Sequence, residues 1–107
     1  MAKLASYFGF CVRSGKITYG VDELEKQKKS VFLIVIDGEL GASSTRAVLK
    51  AKEKFSCPML VAEAGALGEL LHKPAVKAVA IKEKHLAEAI LATLEEEPRL
   101  KIYGGMD

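Results

Sequence analysis

The run Val31-Phe32-Leu33-Ile34-Val35-Ile36 constrains the fold more than any other part of the chain. Six successive apolar residues leave no polar face to turn toward water. A strand of this kind is buried on both sides, so its sheet needs helices packed above and below it. The neighbouring segments supply them. Leu4, Ala5, Phe8, Cys11 and Val12 recur at helical spacing, so residues 3–13 read as a helix that Ser14-Gly15 ends. Lys16-Ile17-Thr18-Tyr19 reads as a short strand closed by Gly20. Asp22 and Glu23 then open a second helix, with Lys26, Lys28 and Lys29 in its last turns, a polarity that suits the helix dipole.

After the apolar run, Asp37-Gly38 ends the strand. A third helix is expected from Ser43-Ser44-Thr45, whose hydroxyls can cap it, to Phe55. Met59-Leu60-Val61-Ala62 reads as a strand, residues 66–71 as a short helix and His72-Lys73-Pro74 as a loop. Residues 76–81 read as the last clear strand. Residues 84–94 form a closing helix with Leu86, Ala87, Ile90, Leu91 and Leu94 on one face. Strand and helix alternate throughout, which implies a three-layer α/β/α sandwich. The domain is expected to occupy residues 1–94. Residues 95–107, an acidic run, a Pro and Gly104-Gly105, read as a loosely held tail, with Leu100-Lys101-Ile102-Tyr103 able to add a short edge strand.

With 107 residues, half of them apolar, the chain can bury a core as one domain without metal or disulfide staples. It has no apolar run long enough to span a membrane. Met1-Ala2-Lys3-Leu4 lacks the apolar stretch of a signal peptide. Cys11 and Cys57 are widely separated and read as reduced core thiols of a cytoplasmic protein. Charge is unevenly distributed. Residues 1–60 hold ten Lys/Arg and six Asp/Glu, a net of +4, and residues 61–107 hold six and eight, a net of −2. Such a split fits either one face suited to phosphates or an ordinary solvated surface.

Catalytic patterns are missing. Gly15-Lys16 is followed by Ile17 and precedes a strand, so it lacks both the hydroxyl and the context of a phosphate-binding loop. His72 and His85 lie far apart with no partner ligands at metal spacing. Ser43-Ser44 has no flanking nucleophile-elbow glycines. Asp37 sits where a phospho-acceptor aspartate would, but no acidic cluster accompanies the first strand, which leaves it the role of capping a loop. The expectation is a protein without enzymatic activity, catalytic residues, metal or cofactor.

One constellation remains, Gly20-Val21-Asp22-Glu23-Leu24-Glu25-Lys26, at a strand-to-helix junction. Gly20 permits close backbone approach, and the free N–H groups of a helix start can take a phosphate. Glu23 can accept two hydrogen bonds from the Watson–Crick edge of a guanine, and Lys26, one turn on, can donate to guanine O6 or N7. The same residues also make an ordinary helix start, acidic first and basic last.

This segment resembles the signature of the ribosomal protein family L-seven-Ae and its relatives, L-thirty-e and the Gadd-forty-five proteins. The family pattern is Gly-x-Asn-Glu-x-x-Lys at such a turn, matched here by Gly20, Glu23 and Lys26, with Asp22 in place of Asn. Arg13-Ser14-Gly15-Lys16 is similar to the Arg-Ala-Gly-Lys of bacterial, YlxQ-like members. The strand ending in Asp37, Leu67-Gly68-Glu69-Leu70 and Ala78-Val79-Ala80-Ile81 are similar to the family's corresponding segments. The resemblance implies a three-layer sandwich on a four-stranded mixed sheet. It also implies binding to kink-turns, sharply bent RNA built on tandem G·A pairs, in ribosomal RNA or a messenger, with ribosomal proteins as further partners. In that family the loop before the last strand packs on a flipped-out base. Here it is Leu71-His72-Lys73-Pro74-Ala75, with His72 where bacterial members commonly have Gly. The RNA-binding residues so implied are Gly20, Asp22, Glu23, Lys26, Lys16, Leu71, His72 and Lys73. A protein-interaction or regulatory module on the same fold is the alternative, permitted by the near-neutral net charge of +2.

Overall fold

The computed structural model describes residues 2–28 and 30–104. Its elements are α1 (Ala2–Arg13), β1 (Ile17–Tyr19), α2 (Val21–Lys26), β2 (Leu33–Asp37), α3 (Ala42–Phe55), β3 (Met59–Ala62), α4 (Ala66–Leu71), β4 (Ala78–Ile81), α5 (Lys84–Ala92), a 3-10 turn (Leu94–Glu96) and β5 (Leu100–Ile102). The strands form one mixed sheet in the order β1-β4-β2-β3-β5. β2 and β3 run parallel and the other neighbours antiparallel.

β2 is the middle strand and every residue of it is buried. Leu33 and Val35 join Phe8, Leu67, Val79 and Ile90 in the core between the sheet and α1, α4 and α5. Ile34 and Ile36 join Leu24, Val48, Met59 and Ala80 in the core between the sheet and α2 and α3. Both faces of β2 are dry, and this is why its sequence shows no apolar–polar alternation. Cys11 and Cys57 are free and buried, one in each core.

Several boundaries differ from the sequence reading. In α1 the buried stripe is Leu4, Phe8 and Cys11, while Val12 is 40% exposed. At about 100° per residue, Val12 lies about 80° round the helix from Leu4, beyond the width of the contact. α2 stops at Lys26 because Gln27 is extended, so Lys28 lies beyond the helix; Lys29 is outside the described residues. α3 starts at Ala42 with no side-chain cap. The Thr45 hydroxyl instead donates back to the Gly41 carbonyl at 2.9 Å. β4 begins at Ala78, two residues later than expected, since the Val76 N–H closes a turn on the Lys73 carbonyl.

The largest correction is at the C-terminal end. The sheet has five strands, where four were expected. β5 pairs antiparallel with β3, with Leu60 opposite Ile102 and Ala62 opposite Leu100. Leu100, 3% exposed, fills the core beside α5. The edge strand offered for residues 100–103 is thus present as β5, and residues 95–102, otherwise read as the start of a loose tail, belong to the sheet and the turn that leads into it.

Asp37 ends β2 and is almost fully buried. Its Oδ1 accepts from the Glu39 N–H (2.9 Å), its Oδ2 from the Gly65 (3.0 Å) and Leu67 (3.4 Å) N–H groups. One carboxylate thus holds the loop after β2 and the start of α4 together.

Candidate nucleic-acid interface

Gly20 joins β1 to α2 with φ 90° and ψ 153°, a backbone region open to glycine and strained for other residues. A Cβ there would meet nothing within 4 Å, so conformation and not crowding requires the glycine. Its N–H donates to the Ala78 carbonyl (2.8 Å), and its carbonyl accepts from the Leu24 N–H (3.1 Å). The junction is therefore tied to the start of β4, and no side chain caps α2. Asp22, Glu23 and Lys26 are exposed, while Leu24 anchors the helix in the core.

The spacing that lets Glu23 and Lys26 read one guanine also lets them pair with each other. Lys26 Nζ donates to Glu23 Oε2 at 3.1 Å, with side chains 71% and 53% exposed. An exposed pair of this kind contributes only about 0.2–0.5 kcal/mol, so a ligand can separate it at small cost.

The loop of residues 71–75 lies beside this junction. Lys73 Nζ stands 5.3 Å from the centre of the Tyr19 ring, the residue before Gly20. Tyr19 carried no functional signal in the sequence beyond its place in a strand. Burial first, and the Cys11 thiol second, push its phenol above the usual range, so it stays a neutral donor. His72 ends α4 in the left-handed region (φ 55°, ψ 36°), where glycine is the usual residue. It is exposed beside an open recess that it shares with Glu69, Pro74 and Lys77. Leu71 is buried in the core, so its side chain is not presented to a ligand, in contrast to the expectation.

Gly68 sets the position of this loop. A Cβ on it would lie 2.9 Å from Pro74 Cα and 3.0 Å from the Lys73 carbonyl oxygen. Gly68→Ala is expected to cost about 1–3 kcal/mol and to displace Lys73 from Tyr19. A thermal-melt comparison with wild type checks this, and an unchanged midpoint would show that the loop is not packed on α4.

Of the expected site residues, the structure brings together Gly20, Asp22, Glu23 and Lys26 on one element, with His72 and Lys73 beside it. Lys16 is not among them. It precedes β1 at the opposite end, four residues and about 13 Å of extended chain from Gly20.

Nucleophile and metal chemistry have little to work with nearby. Burial, and to a lesser extent Glu83, push the Cys11 thiol up to about 11, so it is protonated at neutral pH. Among the described residues there is no group of three or more His, Cys, Asp or Glu able to hold a metal, and no helix long and apolar enough to cross a membrane.

No family model matches the chain, and no curated protein matches it in sequence. Solved structures do. One, described as a protein with unknown function from Bacillus halodurans, superimposes with a TM-score of 0.78 at 19% identity, covering 89% of this chain and 99% of that one. The likeness is one of fold. Seventy-two solved chains match, so the architecture recurs, and a recurrent fold does not fix a function.

Proposed function

We propose that this protein binds structured RNA of the kink-turn type, with the β1–α2 junction reading bases and the α4–β4 loop holding the adjoining strand. The observation that supports this most is the convergence of two segments distant in sequence. Gly20, Glu23 and Lys26 stand on one side, His72 and Lys73 on the other, joined by the Gly20–Ala78 hydrogen bond and the Lys73–Tyr19 contact. A carboxylate beside RNA is repelled by phosphates unless it accepts from base N–H donors. Glu23 therefore acts in specificity, and Lys26 and Lys73 in affinity. Asp22 adds charge beside the same bases and sharpens the need for donors there. On this reading the protein is a binding component of a ribosomal or other ribonucleoprotein particle in the cytoplasm, without turnover of its own.

Titration of wild type against a kink-turn RNA and the same duplex lacking its G·A pairs, at two salt concentrations, tests the reading. Lys26→Ala is expected to weaken kinked-RNA binding by roughly 1–3 kcal/mol, the scale of one specific base contact. Glu23→Ala is expected to lower the preference for kinked over unkinked RNA more than it lowers overall affinity. Lys73→Ala weakens both RNAs alike and flattens the salt dependence. Equal binding of the two RNAs by wild type would remove the proposal.

A further inference from the structure

The two ends of the sheet use their charges differently. At the end that carries Gly20, cations other than Lys73, which lies over the Tyr19 ring, are taken up by carboxylates. Lys77 pairs with Glu39 (2.8 Å), Arg99 with Glu63 (2.8 Å) and Glu69 (3.3 Å), and Lys26 with Glu23 (3.1 Å). At the opposite end stand Arg13, Lys16, Lys28, Lys54, Lys82 and Lys84, and none of them is in an ion pair among the described residues. Acidic residues near them include Glu25, which lines a recess with Lys54, and Glu83, whose carboxylate is engaged by the Leu86 N–H and His85.

Main-chain bonds fix these residues side by side. The Lys82 N–H donates to the Lys16 carbonyl (2.8 Å), and the Phe32 N–H to the Ile81 carbonyl (2.9 Å). Lys16, Lys82 and Phe32 therefore occupy neighbouring strand positions just beyond the last paired row, Ile17–Ile81–Leu33. Phe32 is 38% exposed although it belongs to the most apolar run of the chain. It borders an open groove of about 440 Å³ whose walls include Phe55, Lys28 and Lys54. Lys54 is held over the Phe55 ring at 5.1 Å and donates to the Gln27 carbonyl at 2.6 Å. The groove thus offers aromatic surface and fixed positive charge at the size of a small-ligand pocket, about 300–1,000 Å³.

We infer that this end of the sheet is a second contact surface, for single-stranded RNA, with an unpaired base stacked on Phe32 in the groove and phosphates on Lys16, Lys28 and Lys82. Unpaired cations alone would serve any polyanion. The exposed ring among them selects for bases, which have faces to stack, over phosphate or carboxylate alone. A duplex keeps its bases stacked on one another, so only an unpaired strand can use Phe32. The surface lies at the other end of β1 from Gly20, and a flanking single strand could occupy it independently of the site proposed above.

The test is fluorescence anisotropy with a mixed-sequence single-stranded RNA of about ten nucleotides. Phe32→Ala is expected to lower its affinity about tenfold, the scale of one lost stacked base, and Phe32→Tyr to retain it, which separates stacking from folding. Lys28→Ala with Lys82→Ala should flatten the slope of log K against log salt by about 1.4, two phosphate contacts on a single strand. Lys101→Ala, which removes a cation from the far edge strand, should leave the slope unchanged. Wild-type affinity in Phe32→Ala, or competition by polyglutamate equal to that by RNA at matched charge, would overturn the inference. The kinked-duplex arm keeps the two proposals apart: Lys26→Ala should impair that arm alone, and Phe32→Ala the single-strand arm alone.

Discussion

Replacing Asp37 with Ala is expected to lower stability by about 3–5 kcal/mol. Its carboxylate accepts from the Glu39, Gly65 and Leu67 N–H groups at a site almost closed to water. Removing it leaves three main-chain donors without that partner, at roughly 1–3 kcal/mol for each that water cannot reach. A domain of this size holds about 5–15 kcal/mol in all. At about 4–8 °C per kcal/mol, the melting midpoint should fall by roughly 12–40 °C. Asp37→Asn keeps the shape and one acceptor but sets an NH2 group against an N–H, so its loss should be intermediate. Urea and thermal denaturation of the three proteins check the order. If Asp37→Ala unfolds at the same urea concentration as wild type, the carboxylate does not hold the junction.

The second large effect is expected from truncation after Pro98. Leu100 contributes about 1.5–3 kcal/mol by its burial. The β3–β5 ladder and the Glu63–Arg99 and Tyr103–Met59 main-chain bonds, at 2.7 and 2.8 Å, contribute about 0.5–1.5 kcal/mol each. Ordering residues 99–103 costs chain entropy that opposes these terms. Truncation also uncovers β3, whose Met59-Leu60-Val61-Ala62 is an apolar edge of the kind that recruits other chains. A lower melting midpoint together with concentration-dependent aggregation is the expected result. A truncated protein as stable and monomeric as the full chain would show that the sheet ends at β3.

The parts of the fold that were legible in the sequence are those where one physical requirement dominates. Of the apolar run read as a strand buried on both faces, Leu33–Ile36 lie in β2, the middle strand, and are buried, whereas Val31 and Phe32 precede it and Phe32 is 38% exposed. Leu4, Phe8 and Cys11 gave α1 its stripe, although a periodicity count could not tell that Val12 falls just outside the contact. The short edge strand offered for Leu100–Tyr103 is present as β5, but its weight in the fold was hard to read because only Leu100 of its three residues is buried and it follows an acidic run and a Pro. Its stability comes from a partner, β3, some forty residues away, which a local reading does not contain. The hydroxyls of Ser43-Ser44-Thr45 looked like caps, yet the helix begins a residue before them, where Thr45 bonds backward. At the candidate interface, spacing along the chain placed Glu23 and Lys26 on one turn, but not their ion pair with each other. Lys16, only four residues from Gly20 in the sequence, is carried to the opposite end by one short strand. The contact of Lys73 with Tyr19 is a product of topology alone.

The position of β4 has a consequence for how the protein comes into being. Ile81 pairs with Ile17 on one side and Leu33 on the other, so a late segment is inserted between two early ones. During synthesis β2 and β3 can meet soon after they are made, whereas β1 has no strand beside it until β4 emerges. Closure across such a separation is slow, and edges stay uncovered while it waits. The Gly20 N–H finds the Ala78 carbonyl, and Lys73 finds Tyr19, only at that moment. A nascent chain halted before residue 78 therefore carries the whole Gly20–Lys26 motif without the strand that ties the β1–α2 junction to the sheet.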